Sequence, residues 1–242
     1  MAIGKNIFFI CDGVRLHTAL TSFSPTLESE ELDTTTLGTS GGFRTYTPGF
    51  KSGSLSLEGL WDADTTAQDK IDDVLKAAFS GSTPKQIMTT LGTIAHGALV
   101  LMLQDADVVS YNAGKSSVGE LIMVDAEVKS DNGVETGKIH YYDSADSAEN
   151  GASVDNAVAT DNGGYFQAHL YLEDDSAATD ANFKMQHSDD NSTWVDIAVT
   201  DAGIGGDVGA NSVEITGTVE RYTRVVFEPD DLAYGVAAFA RR

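Results

Sequence analysis

Three stretches of the sequence match part of a motif that carries chemistry. Residues 38–42 (GTSGG) have the spacing of a nucleophile elbow, but a Thr-rich segment precedes them where that elbow needs an apolar strand. Gly114-Lys115-Ser116 ends like a phosphate-binding loop, yet Val109 occupies the position of its first glycine. Residues 146–157 begin like a calcium loop and fail at its third and twelfth positions, which leaves only opportunistic cation binding. We predict no catalytic site from these matches.

The other reactive residue types are dispersed along the chain. The single cysteine, Cys11, excludes a disulfide framework and lies in an apolar run, so we interpret it as a core residue. The carboxylates show no spacing that pairs two of them for acid–base catalysis. The histidines show no paired spacing for zinc; they are His17, His96, His140, His169 and His187. We therefore expect no enzyme activity, no cofactor and no bound metal.

The charge of the chain is strongly negative. Its 37 acids and 15 bases give a net charge of −22, and residues 143–242 hold 19 of the acids. A surface this acidic repels phosphate backbones, so we expect no specific nucleic-acid binding. The acidity indicates solubility, a salty environment, or a surface that lies beside DNA without binding it. No run approaches 18 apolar residues and no apolar segment of signal length opens the sequence. We expect a soluble protein made in a cytoplasm, with no membrane partner.

The elements that carry these residues are mainly strands, as a composition rich in Thr, Ser, Val and Gly indicates. Asp12-Gly13 between two apolar runs predicts a β-hairpin, and we expect Ser24-Pro25 to end its second strand. One helix is predicted over residues 64–80, with Gly81 as a left-handed C-terminal cap. Its apolar stripe consists of Ile71, Val74, Leu75, Ala78 and Phe79.

Strand signals separated by turn residues continue to the end of the chain. In the first half they lie at residues 86–91, 98–103, 120–128 and 136–142. In the second half they lie at residues 165–172, 182–187, 194–198, 213–215, 222–227 and 235–240. We predict a first domain over residues 1–145 and a separate outer β-sandwich over residues 146–242. The alternative is that the second half supplies strands to the first sandwich.

Residues 28–62 combine two contrasting patterns. Residues 28–47 show no periodicity and predict a long polar loop, which is unusual in a compact domain unless it is functional or disordered. The residues that follow alternate, with Leu55 and Leu57 between Ser54, Ser56 and Glu58. This period of two predicts a strand with one buried face and one exposed face.

Residues 46–62 (YTPGFKSGSLSLEGLWD), between the long loop and the helix, resemble the same stretch of the major tail tube proteins of long-tailed (siphovirus-type) bacteriophages. Residues 119–138, 185–194 and 221–241 are also similar to segments of some members. The resemblance implies a mainly β fold, namely an antiparallel β-sandwich that forms a barrel with its neighbours and carries one flanking helix. It implies a structural protein of the virion tail, assembled in the host cytoplasm.

The resemblance also implies how copies of the chain assemble. Six copies are expected to form a ring, and rings are expected to stack into a tube that DNA crosses without specific binding. Further partners would be the tape measure, terminator and baseplate proteins. The expected contacts between subunits come from loop residues Leu32, Asp33, Thr34, Thr35, Thr36, Leu37, Phe43, Arg44 and Tyr46. The expected barrel strand includes Pro48, Gly49, Lys51, Leu55, Leu57, Gly59 and Leu60.

A second interpretation makes the C-terminal half a surface or glycan-binding β-sandwich module of a virion. Its exposed aromatic residues would be Tyr165, Tyr171, Trp194 or Tyr234. The competing expectation is that Trp194 and most of the tyrosines belong to a sandwich core.

Overall fold

The computed structural model describes residues 7–16, 20–35, 44, 46–61, 71–81, 84–115, 121–130, 133–171, 180–203 and 209–242. Within these residues the fold consists of antiparallel strands and one short helix, as the sequence predicts. The first half contains β1 (Ile7–Cys11), β2 (Val14–Arg15), β3 (Leu20–Asp33), β4 (Tyr46–Leu60), α1 (Ile71–Ser80), β5 (Lys85–Thr93), β6 (Leu99–Lys115), β7 (Met123–Ser130) and β8 (Val134–Ala145). The second half contains β9 (Glu149–Asn150), β10 (Val154–Asp155), β11 (Gly164–Tyr171), β12 (Ala181–Ser188), β13 (Val195–Gly203), β14 (Gly209–Ile215), β15 (Tyr222–Pro229) and β16 (Ala233–Arg241).

The first turn confirms the hairpin that the sequence predicts at Asp12-Gly13. Both residues have positive φ, 46° and 83°, and Cys11 pairs with Val14 across the turn. Two consecutive residues of positive φ are the mark of the tight hairpin turn that Asp-Gly favours. The strand that follows is short, however, because β2 ends at Arg15.

Strand β6 belongs to two parts of the larger sheet. Its first residues, 99–103, pair with β5 on one side and β8 on the other. Asp105 then adopts a positive φ of 45°, and residues 106–115 pair with β7. From the first part of β6 the sheet runs through β8, β16 and β11 to β14, and in the other direction through β5 and β1 to β2. From the second part it continues through β7 and β4 to β3, and we call these four strands the four-stranded layer.

A second sheet is built entirely from the C-terminal half. It has the order β10-β15-β12-β13, and β9 also pairs with β15. We call it the five-stranded sheet. It packs on the outer side of β8, β11 and β16, with Phe183 and Phe227 fully buried between the layers.

The remaining core lies on two sides of the central strands. One cluster joins the four-stranded layer to α1 and includes Leu55, Leu57 and Leu75. The other cluster lies between β1 and β11, on the opposite face of the larger sheet, and includes Phe8 and Val236. The chain therefore stacks three β layers, since β8, β11 and β16 have apolar side chains on both faces.

The long polar loop expected at residues 28–47 is wrong for residues 28–33 and 46–47, which lie in strands, and residues 36–43 and 45 lie outside the described residues. Its first residues continue β3 to Asp33 and its last residues open β4 at Tyr46, which pairs with Asp33. The expected break at Ser24-Pro25 is also wrong, since Pro25 lies within β3 opposite Leu55. Proline fits there because β3 is an edge strand, whose outward side needs no N–H donor.

The helix confirms most of the predicted stripe. Ile71 and Leu75 are fully buried and Ala78 is nearly so, whereas Phe79 is 51% exposed and does not belong to the buried face. Gly81 follows the helix without a positive φ, so the expected left-handed cap is wrong. Residues 64–70 of the predicted helix lie outside the described residues.

Strands from both halves of the chain share one sheet, because β16 pairs with β8 from Ala233↔Ala145 to Phe239↔Lys138. Tyr141 and Ala145 of β8 also lie in the core beneath the five-stranded sheet. The layer of β8, β11 and β16 therefore packs against the five-stranded sheet with one face and against the core beside β1 with the other. A domain boundary between residues 145 and 146 stays a prediction.

Candidate assembly surface

The four-stranded layer has one apolar and one polar face. On the apolar face, Leu55 and Leu57 of β4 lie beside Val128 and Ala126 of β7, and all four are buried. Serines and charged residues occupy the positions between them. The alternation predicted for β4 is confirmed, and it extends to the neighbouring strands because cross-strand partners share a face.

The polar face consists of three rows that each cross all four strands. The rows, read from β3 to β6, are Ser22, Glu58, Asp125 and Asn112; Ser24, Ser56, Glu127 and Ser110; and Thr26, Ser54, Lys129 and Asp107. Short hydroxyl side chains therefore line β3 and β4, and carboxylates concentrate towards β7 and β6.

Like charges meet on this face. Glu58 lies directly opposite Asp125, and Ser22 Oγ donates a hydrogen bond to Glu58 Oε2 at 3.0 Å. The one cation in the rows, Lys129, has its Nζ 3.6 Å from Glu127 Oε1. Carboxylates placed opposite each other destabilise a sheet. The Glu58–Asp125 pair therefore adds an unfavourable charge contact to this face.

Both edges of the four-stranded layer are open among the described strands. Strand β3 pairs only with β4, and residues 107–115 of β6 pair only with β7. A long edge strand offers unpaired backbone donors and acceptors to any other chain. Pro25 has no N–H, so we place it on the outward side of β3; alternate residues share that side, and Phe23 and Leu27 then direct their N–H groups away from β4.

One end of β3 and β4 extends beyond the rest of the layer. The pairing of β4 with β7 ends at Gly53↔Ser130, whereas its pairing with β3 continues to Tyr46↔Asp33. We call this two-stranded part, residues 28–33 and 46–52, the arm. At about 3.3 Å per residue it extends about 20 Å. Leu27 at its base is 60% exposed and Tyr46 near its tip is 52% exposed. A two-stranded ribbon of this kind is marginally stable in water by itself.

The residues expected to contact neighbouring subunits lie mostly at the tip of the arm. Leu32 and Asp33 end β3, and Thr35 donates its N–H to Asp33 Oδ1 at 2.9 Å. Hydrogen bonds from Thr35 lower the pKa of Asp33. Arg44 Nη1 lies 3.8 Å from Asp33 Oδ2, and both side chains are exposed. Tyr46 opens β4, and Thr34 follows β3. Thr36, Leu37 and Phe43 lie outside the described residues.

The residues expected in the barrel strand all belong to β4. Pro48, Gly49 and Lys51 lie in the arm, whereas Leu55, Leu57, Gly59 and Leu60 lie in the part that pairs with β7. The described residues of the predicted loop and strand therefore lie in or next to one antiparallel strand pair, β3 and β4. No local sequence pattern marks the carboxylates of the polar face, Glu58, Asp107, Asp125 and Glu127, as one group. Only the register of four strands brings them together.

Helix α1 is attached to the four-stranded layer by a carboxylate that the sequence analysis also missed. Asp72 is 8% exposed and accepts hydrogen bonds from Trp61 Nε1, at 2.9 Å, and from the hydroxyl of Tyr111. Trp61 follows β4 and Tyr111 lies in β6. Asp72 thus joins the helix to Trp61, the residue after β4, and to Tyr111 in the second part of β6.

The calcium-like stretch at residues 146–157 makes contacts within the protein, since Asp155 pairs with Arg221 and Glu149 accepts a hydrogen bond from Tyr141. Residues 38–42 lie outside the described part of the chain, and no group of three or more His, Cys, Asp or Glu that could hold a metal occurs within it. Cys11 is buried, which raises the pKa of its thiol. His140 and His169 are also buried and make hydrogen bonds within the core.

The outer face of the five-stranded sheet differs from the polar face of the four-stranded layer. Lys184 Nζ lies 2.7 Å from Glu228 Oε2. Arg224 donates to Gln186 Oε1 at 2.7 Å, and its guanidinium lies 4.3 Å from the ring centroid of Trp194. Each of these two cations therefore has an interaction partner on the same face.

The aromatic residues considered for glycan binding are not an exposed group. Tyr165 and Tyr171 are 3% and 4% exposed and face the core beside β1, so they are wrong as surface ligands. Trp194 is half-buried beneath Arg224. The expectation that the tyrosines are core residues is confirmed for these two.

Among the described residues, the structure contains no helix with the length and apolar character that a membrane span requires.

No family model and no curated protein matches the sequence. Several solved structures are similar. A chain of the virion of a native gene transfer agent particle has a TM-score of 0.46 at 16% identity, over 56% of this chain and 98% of its own. A chain of the sheath–tube complex of an extracellular contractile injection system has a TM-score of 0.41 at 12% identity, over 57% and 92%. The Dit protein of phage SPP1, described as a hub of the adsorption apparatus, has a TM-score of 0.38 at 12% identity, over 98% and 99%.

This chain is thus similar to components of phage tails and tail-like particles, the class that its sequence resembles. With TM-scores below 0.5 and identities below 25%, the likeness carries no argument about function. That argument rests on the described residues of this chain.

Proposed function

We propose that this chain is a tail tube subunit whose copies join edge to edge through the four-stranded layer and close a ring. The observation that carries the proposal is the layer itself, which is open at β3 on one side and at residues 107–115 of β6 on the other. Pairing the β3 edge of one copy with the β6 edge of the next uses both edges. A contact between two different surfaces generates a ring when its rotation closes.

Closure of the ring removes the edges that a monomer leaves unpaired. A barrel has no free strand edge, and therefore no site at which further chains can add without limit. The apolar face of the layer packs on the subunit's own core, so the polar face becomes the inner surface of the ring. Rings of six copies, as in the family that the sequence resembles, stack through the arm into a tube.

The charge of the polar face suits the passage of DNA. Its three rows hold four carboxylates and one ammonium group per copy, so the lumen is negatively charged. Phosphates are repelled from such a wall, and DNA crosses it without the salt-dependent binding that lysines and arginines would cause. Tape measure, terminator and baseplate proteins are the further partners of such a tube in a virion tail, and neither enzyme activity nor a cofactor is part of the proposal.

The proposal is tested by blocking one backbone donor on the β3 edge. Leu27→Pro removes an outward N–H while the pairing of residue 27 with Gly53 on β4 keeps its place. Leu27→Ala is the matched control, because it removes the same side chain and keeps the N–H. Sedimentation and negative-stain microscopy at rising protein concentration report assembly. Circular dichroism reports the fold.

We expect rings or tubes from the wild type and from Leu27→Ala, and monomers with an unchanged β signal from Leu27→Pro. Equal assembly of the two variants would exclude the β3 edge as the contact. Compact wild-type monomers under all conditions would exclude the tube.

A further inference from the structure

Strands β1 and β11 of the larger sheet meet through contacts that involve side chains. Among the described residues, β11 pairs only with β14 and β16, and β1 only with β2 and β5. Tyr165 donates its hydroxyl to Gln86 Oε1 at 3.0 Å, and Gln167 Nε2 donates to the same oxygen at 3.3 Å. The guanidinium of Arg15 lies 4.8 Å from the ring centroid of Tyr171. We call this contact between β11 and the β1–β5 side the seam.

One bond of the seam depends on the protonation state of a histidine. His169 is fully buried, and its Nδ1 accepts the backbone N–H of Gly13 at 3.3 Å. A backbone N–H only donates, so Nδ1 carries no proton and the neutral ring has its proton on Nε2. Within the described part of the chain, neither that Nε2 nor Gln167 Oε1 on the same face of β11 has a hydrogen-bond partner.

The surroundings of His169 offer little to a positive charge. The turn of β1 and β2 contributes Asp12 and Arg15, and β5 contributes Lys85. Asp12 is already engaged, since Lys85 Nζ lies 2.8 Å from its Oδ2 and the N–H of Gln86 donates to its Oδ1 at 2.7 Å. Opposite His169, β14 presents Ala210 and β16 presents Val236. The other titratable groups of β11, β14 and β16 are Tyr165, Tyr171, Tyr234, Glu214 and Arg241. Cys11 of β1 belongs to the core cluster beneath the four-stranded layer.

We propose that His169 is an acid-sensitive latch, which holds the seam closed while its ring is neutral and releases the turn of β1 and β2 when the ring gains a proton. A proton on Nδ1 removes the acceptor of the Gly13 N–H and places two donors face to face. It also places a charge in an apolar core, and the ring then gains by moving towards solvent. Burial lowers the pKa of His169 to about 3 for the same reason.

The second buried histidine lacks this property and serves as the control. His140 Nε2 lies 2.8 Å from the hydroxyl oxygen of Thr223, and its Nδ1 lies 2.9 Å from the carbonyl oxygen of Lys138. A hydroxyl both donates and accepts, so the bond to Thr223 persists when His140 is protonated. Burial and hydrogen bonding are shared by the two rings, whereas the donor-only partner is particular to His169.

The test compares two glycine amides by NMR hydrogen exchange. The Gly13 N–H is bound to His169, whereas the Gly97 N–H is bound to the carbonyl oxygen of Ile139 at 2.8 Å. After correction for intrinsic exchange, we expect the protection of Gly13 to fall about tenfold for each pH unit below about 6, and that of Gly97 to fall less over the same range. In His169→Asn, whose amide oxygen accepts without titrating, we expect constant protection of Gly13. In His140→Asn we expect the wild-type pH dependence.

Three results would overturn the latch. They are a flat Gly13 profile in the wild type, a parallel loss at Gly13 and Gly97, and an unchanged pH dependence in His169→Asn. The nitrogen chemical shifts of His169 in the wild type provide a measurement that needs no variant. Nδ1 must be unprotonated at pH 7, because only a bare nitrogen accepts the Gly13 N–H.

Discussion

The polar face of the four-stranded layer and the outer face of the five-stranded sheet arrange their charged side chains differently. Both are solvent faces of antiparallel sheets in one chain. The five-stranded sheet places Lys184 beside Glu228 and Arg224 beside Gln186 and Trp194. The four-stranded layer places Glu58 opposite Asp125. Opposite charges across a sheet stabilise it and like charges destabilise it, so only the first arrangement favours the fold of the monomer.

The edge strands of the two sheets also differ in length. The five-stranded sheet ends in two-residue strands, β9 and β10, on one side and in the nine-residue β13 on the other. The four-stranded layer ends in the 14-residue β3 and in the second part of β6. Long open edges and unfavourable charge coincide in one region. We infer that this region is adapted to contact with other molecules, and that the five-stranded sheet supplies stability.

The largest effect expected from this comparison is the loss of Phe183. The ring is fully buried and stacks on Phe227 with 4.5 Å between centroids. Phe183→Ala should lower the free energy of unfolding by about 3–5 kcal/mol, because it removes apolar contacts and leaves a cavity. Thermal unfolding then shifts by roughly 10 °C. Assembly measured well below the transition should be retained.

Val199→Ala is the control for this variant, since Val199 lies in the same sheet and is 54% exposed. Its free energy of unfolding should change by less than about 0.5 kcal/mol. If Phe183→Ala abolished assembly while the thermal transition stayed in place, the division of roles between the two sheets would be wrong.

The next largest effect concerns the attachment of the five-stranded sheet at low pH. Burial lowers the pKa of His140 from 6.5 to about 4, so the folded chain holds this ring neutral where the unfolded chain protonates it. The stability that depends on the neutral ring is complete above pH 6.5 and is lost as the pH falls towards 4. The loss at pH 4 amounts to about 3 kcal/mol.

Urea unfolding at pH 7, 5.5 and 4 checks this expectation. His140→Gln removes the titrating group, so its free energy of unfolding should fall less steeply with acid than that of the wild type. The two curves should converge at low pH. Parallel curves over the whole range would show that His140 does not titrate on unfolding.

The sequence predicts the regions in which local signals and burial agree. Asp12-Gly13 determines its own turn, and the alternation of Leu55 and Leu57 follows from one buried face. The arm gave no such signal. Residues 28–33 pair with β4 alone, and the described side chains of these residues are exposed, so no apolar period marks them as a strand.

Contacts between distant segments could not be predicted from the sequence for a different reason. Strand β16 pairs with β8 between residues as distant in sequence as Phe239 and Lys138, and no local pattern encodes that choice. The same holds for the polar face, where Glu58 and Asp125 meet only because β4 pairs with β7 in one register. A shift of β4 by one residue would move Glu58 to the face opposite that of Asp125.

The smallest expected effect is the most direct test of the comparison, because its sign differs between the two sheets. Glu58→Gln removes one of two carboxylates that lie opposite each other and keeps an oxygen for the hydrogen bond from Ser22. The monomer should become more stable, with a rise in Tm of about 1–3 °C. Glu228→Gln removes the partner of Lys184 and should lower Tm by about 1–2 °C.

Differential scanning calorimetry at low and high salt measures both shifts. Salt screens exposed charges, so both should shrink towards zero as the ionic strength rises to about 1 M. A fall in Tm for Glu58→Gln would mean that the carboxylate stabilises the monomer, and the polar face would then need no partner to explain it. A rise at low salt that disappears at high salt would locate an unfavourable charge on the face that we propose as the lumen.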